Sequence, residues 1–262
     1  MPDPGGSRHG VQAIARAAAV LRAVEQAPGG LALGEIAAAA ELPKSTAHRI
    51  VGALIEEELL TQGEDGQIRL GGAIARLASA SREALADRLQ PILVDLRRDL
   101  DETVDLAVLD GTAVRFIAQV AAPRRLRAVS SVGESFPLHC TANGKALLAA
   151  LPPQRAESLL PPRLPRFTAA TIGTRAELMR QLEQVRADGV AFDREEYTEG
   201  VCAVSAAVSD GTGAAAAISV PVPAQRFAGR ERELAAAVRE AAARATALPG
   251  EPTDQEGKRA GA

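Results

Sequence analysis

The sequence predicts an α+β protein in two parts: a helical N-terminal segment closed by a short hairpin, then a longer segment built on an antiparallel sheet flanked by helices. Two patterns predict this. Apolar residues recur at helical spacing three times before a turn at Asp65-Gly66, and beyond it the Asp-Gly pairs at 110–111 and 210–211 each separate two strand-like runs. The repeated strand–helix–strand pattern of a parallel sheet does not occur.

The 262 residues suffice for two modest domains with buried cores. Alanine carries much of the apolar content, so the helices should pack closely. No apolar run reaches the roughly 18 residues of a membrane helix. Met1–Ser7 lacks the charged stretch and apolar run of a signal peptide. Cys140 and Cys202 give no disulfide framework, so a reducing cytoplasm is the expected location.

Residues 1–8 and 249–262 read as flexible tails. Val11, Ile14, Ala18 and Leu21 define a first helix, stopped by Pro28-Gly29-Gly30. A second helix spans 33–40, with Ile36, Ala37 and Ala40 on one face. Glu41-Leu42-Pro43 breaks the chain before a third helix at 44–58. Leu59–Gln62 and Gln67–Leu70 flank the turn at Glu64-Asp65-Gly66, a hairpin signal. This first domain is placed at 9–71, and Gly71-Gly72 opens into a helical connector over 72–84.

The third helix carries the chemistry of the N-terminal part. Ala47, Ile50, Val51 and Leu54 form its core stripe, leaving Ser45, Arg49 and Gly52 opposite with Thr46 and His48 beside them. Small residues let a helix approach base edges in a DNA major groove, and Arg can contact guanine with two hydrogen bonds. Lys44, Ser45 and Thr46 lie at the helix start, where open N–H groups favour a phosphate. Arg8, His9 and Arg16 could reach the DNA backbone from the N-terminal arm and the first helix, and Arg69 from the hairpin. The alternative is a solvated face on a bundle used for protein contacts. Charge gives no help: up to Leu70 there are six Lys/Arg against nine Asp/Glu, and 24 against 24 beyond, so positive charge must be placed locally.

The second domain is placed at 85–248. It begins with a helix at 85–100, then a hairpin of 103–109 and 113–120. A strand is expected at 126–132, a helix at 142–151, a proline-punctuated loop at 152–165 and a helix at 174–188 ended by Gly189. A hairpin of 201–208 and 214–220 and a final helix at 230–248 complete it. The helix start at Thr141-Ala142-Asn143-Gly144 presents small residues around open N–H groups and suits a carboxylate. Thr141 could equally be an ordinary N-cap, and Ser219 a polar residue in a half-buried strand. Lys145 reads as a solvated helix residue.

At Leu42-Pro43-Lys44-Ser45-Thr46-Ala47-His48-Arg49 the sequence closely resembles the isocitrate-lyase-regulator (IclR) family of transcription factors. Further landmarks follow in order, from Pro28-Gly29-Gly30-Leu31 through Ile68-Arg69-Leu70-Gly71, Val108–Gly111 and Pro137–Ala146 to Glu195–Val201. The resemblance spans about Val11 to Leu248. It implies a winged helix-turn-helix joined by a helix to a GAF-like effector domain, working as a homodimer or tetramer on double-stranded operator DNA. It also implies an effector pocket formed by Thr141, Ala142, Asn143 and Gly144, with Asp193 and Ser219. Cys202, one residue before the family's usual cysteine, and Ala203, which takes that cysteine's place, are counted among the pocket residues, and Pro221 replaces a polar residue. Those changes make the pocket less polar and point to a more apolar, even aromatic, small organic acid.

Other signals fail on context. Gly211–Ala216 matches a dinucleotide fingerprint but leads into a strand-like run, where that motif must open a helix. Gly144-Lys145 lacks the remainder of a phosphate loop. His and Cys show no zinc spacing, and neither metal nor cofactor is expected. The leading function is thus a ligand-responsive repressor or activator, with repression the favoured sign, of a metabolic or catabolic operon, and not an enzyme. The alternative is an enzyme with an N-terminal DNA-binding or docking module and chemistry around His139, Cys140 and Asp193. A pure interaction module is the third reading.

Overall fold

Ile36 of one helix, Val51 and Leu54 of another, and Leu60 and Ile68 of a hairpin close over Val20 and Val24 to make the N-terminal core. The elements of this computed structural model are Gly6–Glu25 (α1), Leu33–Ala39 (α2), Lys44–Glu56 (α3) and the antiparallel pair Leu60–Gln62 (β1) and Ile68–Leu70 (β2). The structure describes residues 6–27, 29–125, 127, 128, 132–209 and 214–248, with the side chains of 6–11, 214 and 215 excepted. Helix α1 therefore takes up Gly6–Arg8, which the sequence assigns to a tail; the rest of both expected tails, and Pro28, lie outside the described residues. Glu35 caps α2 by accepting from Ala32 N at 2.8 Å. Only glycine fits at 71, where a Cβ would collide with the carbonyl of Glu58 as the hairpin passes the end of α3.

The chain divides into two compact units between Glu83 and Ala84. That boundary falls inside one continuous 29-residue helix, Gly72–Leu100 (α4), where the sequence suggests a connector followed by a separate helix. Pro91 lies within it, giving up the bond its N–H would make to Asp87. Leu89, Ile92, Leu93, Leu96 and Leu100 on either side bury the helix and offset that loss, about 3 kcal/mol.

The C-terminal unit is a six-stranded antiparallel sheet in the order β5-β4-β3-β8-β7-β6. Its strands are Val104–Asp110 (β3), Ala113–Val120 (β4), Ser135–Pro137 (β5), Ala191–Arg194 (β6), Val201–Ser209 (β7) and Ala214–Pro223 (β8). The helices are Ala142–Ala150 (α5), Pro153–Ser158 (α6), Arg175–Asp188 (α7), Ala224–Phe227 (α8) and Glu231–Thr246 (α9). Side chains alternate across the sheet. Leu106, Val204, Ile218 and Val220 face α4 and α9, where Leu234 and Val238 complete one core. Ala107, Phe116 and Ala217 face the other way, toward Leu147, Leu148, Leu178 and Leu182 of α5 and α7.

Three segments differ from the sequence reading. The strand expected at 126–132 is not formed by its described residues Arg127, Ala128 and Val132, while Leu126 and residues 129–131 lie outside the description. The strand of that region is β5 instead, a three-residue edge strand on which Pro137 sacrifices no central ladder bond. The loop at 152–165 contains α6, opened by a proline in its first turn. Asp210–Gly213, the expected second turn, lies outside the described residues, but Ala214 onward is strand, as the rejection of the dinucleotide motif requires.

Candidate functional site

On α3 the buried residues are Ala47, Val51 and Leu54. Lys44, Ser45, His48 and Arg49 are exposed, and Thr46 is half-buried. Helix α3 has no side-chain cap: Thr46 N and Ala47 N both turn to Pro43 O, at 2.9 and 3.0 Å, so the first N–H groups remain open to an anion. A Cβ at Gly52 would meet nothing within 4 Å, so the exposed face has room for close approach. Arg16 is also exposed on α1. Arg69 is engaged: Asp65 holds it through contacts of 3.0 and 2.5 Å, and that contact lowers the Asp65 carboxyl to a pKa of about 2. The wing arginine would have to share its guanidinium with Asp65 to reach a phosphate. The side chains of Arg8 and His9 lie outside the described residues.

In the C-terminal unit a cavity of about 160 Å³ opens on the sheet face below the start of α5. Thr141, Ala142, Asn143, Asp193, Ala203 and Ser219, all expected from the sequence, line it. Two expected residues do not. Cys202 sits in the opposite core because its neighbour Ala203 takes the cavity face, a consequence of the two-residue strand period. Gly144 packs against the backbone of Leu138, where a Cβ would collide, and so supports the cavity from behind. Thr141 is both wall and N-cap: its hydroxyl donates to Pro137 O at 2.8 Å and accepts from Gly144 N at 3.2 Å. Lys145 N bonds Thr141 O, which leaves the N–H groups of Ala142 and Asn143 as the unclaimed donors of the first turn. Asn143 Nδ2 is likewise buried without a partner among the described residues.

Asp105, Phe116 and Phe136 also line the cavity and carry no local sequence signal, and Tyr197 and Thr198, which join them, belong to the Glu195–Val201 landmark but are not among the pocket residues expected from the sequence. Phe116 meets Phe136 edge to face at 4.9 Å, and Phe136 meets Tyr197 at 5.2 Å, so one wall is aromatic.

Lys145 is not solvated. It is 1% exposed, and its Nζ reaches Glu196 Oε1 at 2.5 Å and Gln181 Oε1 at 3.2 Å. The sequence cue was available: from Ala142 to Ala149 every residue of α5 is buried, and a lone Lys in a helix apolar all round has to be paired. Glu196 N donates to Asp193 Oδ1 at 2.7 Å, so the pair also positions the cavity carboxyl. Burial raises the Asp193 pKa to about 7, aided by the nearby Glu196 charge and opposed by its backbone hydrogen bonds and by Lys145.

Nucleophilic chemistry finds no support here. Burial pushes the Cys140 thiol up to about 12, so no thiolate forms at neutral pH. Burial lowers the His139 pKa, and its Nε2 donates to Pro165 O at 2.9 Å. Among the described residues no group of three or more His, Cys, Asp or Glu could hold a metal ion, and no helix is long and apolar enough to cross a membrane.

Residues 13–64 match the IclR helix-turn-helix domain, and residues 77–247 match the bacterial transcriptional regulator IclR C-terminal domain. The chain belongs to the IclR family. It is a DNA-binding transcriptional regulator and not an enzyme. It is 53% identical over 230 residues to the HTH-type transcriptional regulator Rv1719 of Mycobacterium tuberculosis, covering 87% of this chain and 89% of that one. It is 34% identical over 245 residues to the acetate operon repressor of Salmonella typhimurium, covering 90% and 89%. A crystal structure of an IclR homologue from Microbacterium hydrocarbonoxydans in complex with 4-hydroxybenzoate superimposes with a TM-score of 0.59 at 25% identity, covering 89% of this chain and 97% of that one.

Proposed function

We propose that this IclR-family regulator is a cytoplasmic repressor of a metabolic or catabolic operon, released or retained on its operator by a small aromatic organic acid. The observation that carries this reading is the cavity below α5, where unclaimed N–H groups and Asn143 Nδ2 supply donors and three aromatic rings supply an apolar wall. The effector carboxylate sits against the α5 N-terminus, Ser219 donates a hydrogen bond from the sheet, and Asp193, protonated on binding, donates its hydrogen to the effector. The 4-hydroxybenzoate held by the Microbacterium homologue has this chemistry, and the Salmonella relative is named for an operon of organic-acid metabolism.

On the DNA side, α3 enters the major groove with Arg49 and His48 toward the bases and Lys44, Ser45 and Thr46 toward a phosphate; Arg16 and Arg69 add backbone contacts. One such helix reads too few base pairs for useful specificity, so the working form is a homodimer or tetramer on a pseudo-palindromic site. Light scattering at micromolar protein checks this, and a monomer that retains specific binding would contradict it.

The deciding experiment is a gel shift on the DNA upstream of the gene, with and without 4-hydroxybenzoate and related acids, paired with thermal shift. The acid should raise the melting temperature and change operator affinity. Asn143→Leu, which fills the mouth of the cavity, should abolish both effects while operator binding persists. Full-affinity acid binding by that variant would place the effector site elsewhere.

A further inference from the structure

A second cavity, of about 240 Å³, adjoins the chain segment that walls the first. Phe136 and Thr141 line the effector cavity, whereas Pro137, Leu138 and His139 between them line this one, opposite the end of α6 and the loop after it. Its apolar walls are Leu138, Leu159 and Leu160, all buried, and three prolines. No Asp, Glu, Lys or Arg lines it among the described residues. The buried polar group there is His139, 1% exposed, an imidazole used by neither the DNA-binding helix nor the effector cavity. Pro165 O can only accept, so Nε2 carries the ring hydrogen that bonds it at 2.9 Å. Burial lowers the pKa and keeps the ring neutral, which makes Nδ1 a lone-pair acceptor. Nδ1 has no hydrogen-bond partner among the described residues. A buried acceptor left unmet costs free energy. Water fits poorly here, because leucine and proline side chains offer none of the about three hydrogen bonds that a buried water usually makes. A carboxylate has no hydrogen to give, so the missing partner is an uncharged donor on an apolar body.

We propose that this cavity is a second ligand site, for a neutral phenol or a similar small ring bearing one O–H: the ring packs against the leucine and proline walls, and the hydroxyl donates to His139 Nδ1. An apolar cavity of roughly 150 Å³ suffices for benzene, so this volume holds a ring with its hydroxyl. A phenol, with a pKa of about 10, keeps that hydrogen at neutral pH. The site does not depend on the effector reading, since the two cavities share no lining residue.

The test is calorimetric titration of the full chain with phenol and with anisole, its methyl ether, which keeps the ring and cannot donate. The wild type should bind phenol about tenfold or more tightly than anisole. His139→Phe keeps a ring at that position and removes the acceptor, so the preference should fall below about threefold, whereas exclusion of anisole by bulk alone would persist. Asn143→Leu, in the effector cavity, should leave phenol binding intact. Ser158→Trp, at an exposed position on the rim, should abolish it. Should His139→Phe fail to fold, imidazole ¹⁵N spectra of the wild type make the comparison: of its three histidines, phenol should shift one unprotonated ring nitrogen and anisole none. Phenol binding no tighter than that of anisole, or a preference that survives His139→Phe, overturns the proposal. So does phenol binding that is lost in Asn143→Leu and kept in Ser158→Trp, which would place the phenol in the effector cavity.

Discussion

Replacing Lys145 by Met should unfold the C-terminal unit far more easily than a helix lysine substitution normally would. The Lys145 and Glu196 side chains are 1% and 7% exposed and meet at 2.5 Å, and Glu196 Oε2 already lacks a partner. Removing the ammonium leaves a carboxylate stranded in low dielectric, which costs about 3–5 kcal/mol. For a unit of this size that corresponds to a fall of roughly 6–20 °C in Tm. Tyr197 is the one tyrosine and the chain has no tryptophan, so tyrosine emission in a urea titration reports this unit alone. Lys145→Met with Glu196→Leu should return to within about 1 kcal/mol of wild type, because both charges leave together. A single-variant loss below about 1 kcal/mol, or a double variant no better than the single, would refute a desolvated pair.

Arg49→Ala should lose about 1–3 kcal/mol of specific operator binding with the fold intact, because the residue is exposed opposite the core stripe; unchanged affinity at matched salt would refute its place in the groove. Asp193→Asn tests the raised carboxyl. Its folded pKa of about 7 exceeds the unfolded 3.8, so the folded state holds the extra proton between those values. Wild-type stability relative to the Asn variant should therefore be greatest at or below about pH 4 and be lost as pH rises toward 7; a flat difference over that range would count against burial as the cause.

The parts of the site that were legible in the sequence are those written in local pattern. The Ala47, Val51 and Leu54 stripe follows from helical spacing, and it fixes Lys44, Ser45, His48 and Arg49 on the exposed face. Thr141 to Asn143 are read from a helix start, and Asp193, Ala203 and Ser219 from resemblance to the family. What the pattern could not supply is contact between distant segments. Lys145 meets Glu196 across 51 positions, and Asp105 reaches the cavity only because β8, far along the chain, inserts beside β3. Phe116 and Phe136 come together only once the short edge strand β5 has paired with β4. Cys202 was misplaced because resemblance fixes an approximate position, while alternation along a strand decides the face to one residue.

A cavity with two carboxyls and no base in its described lining raises the question of how an acid could bind there. If a ligand carboxylate came within about 6 Å of an ionised Asp193, repulsion at an effective dielectric of 20 would cost about 3 kcal/mol. The alternative is for Asp193 to take up a proton. With its pKa at about 7 that costs only a few tenths of a kcal/mol at neutral pH, so proton uptake wins by a wide margin. The protonated carboxyl then has a hydrogen to donate, while its other contact, from Glu196 N, is kept by the oxygen already bound. Acid binding should accordingly draw a proton from the buffer, and affinity should weaken as pH rises above 7. Calorimetry in two buffers of different ionisation enthalpy measures the uptake directly. Identical heats in both buffers would mean that Asp193 keeps its charge, and that the ligand reaches the α5 N-terminus without approaching it.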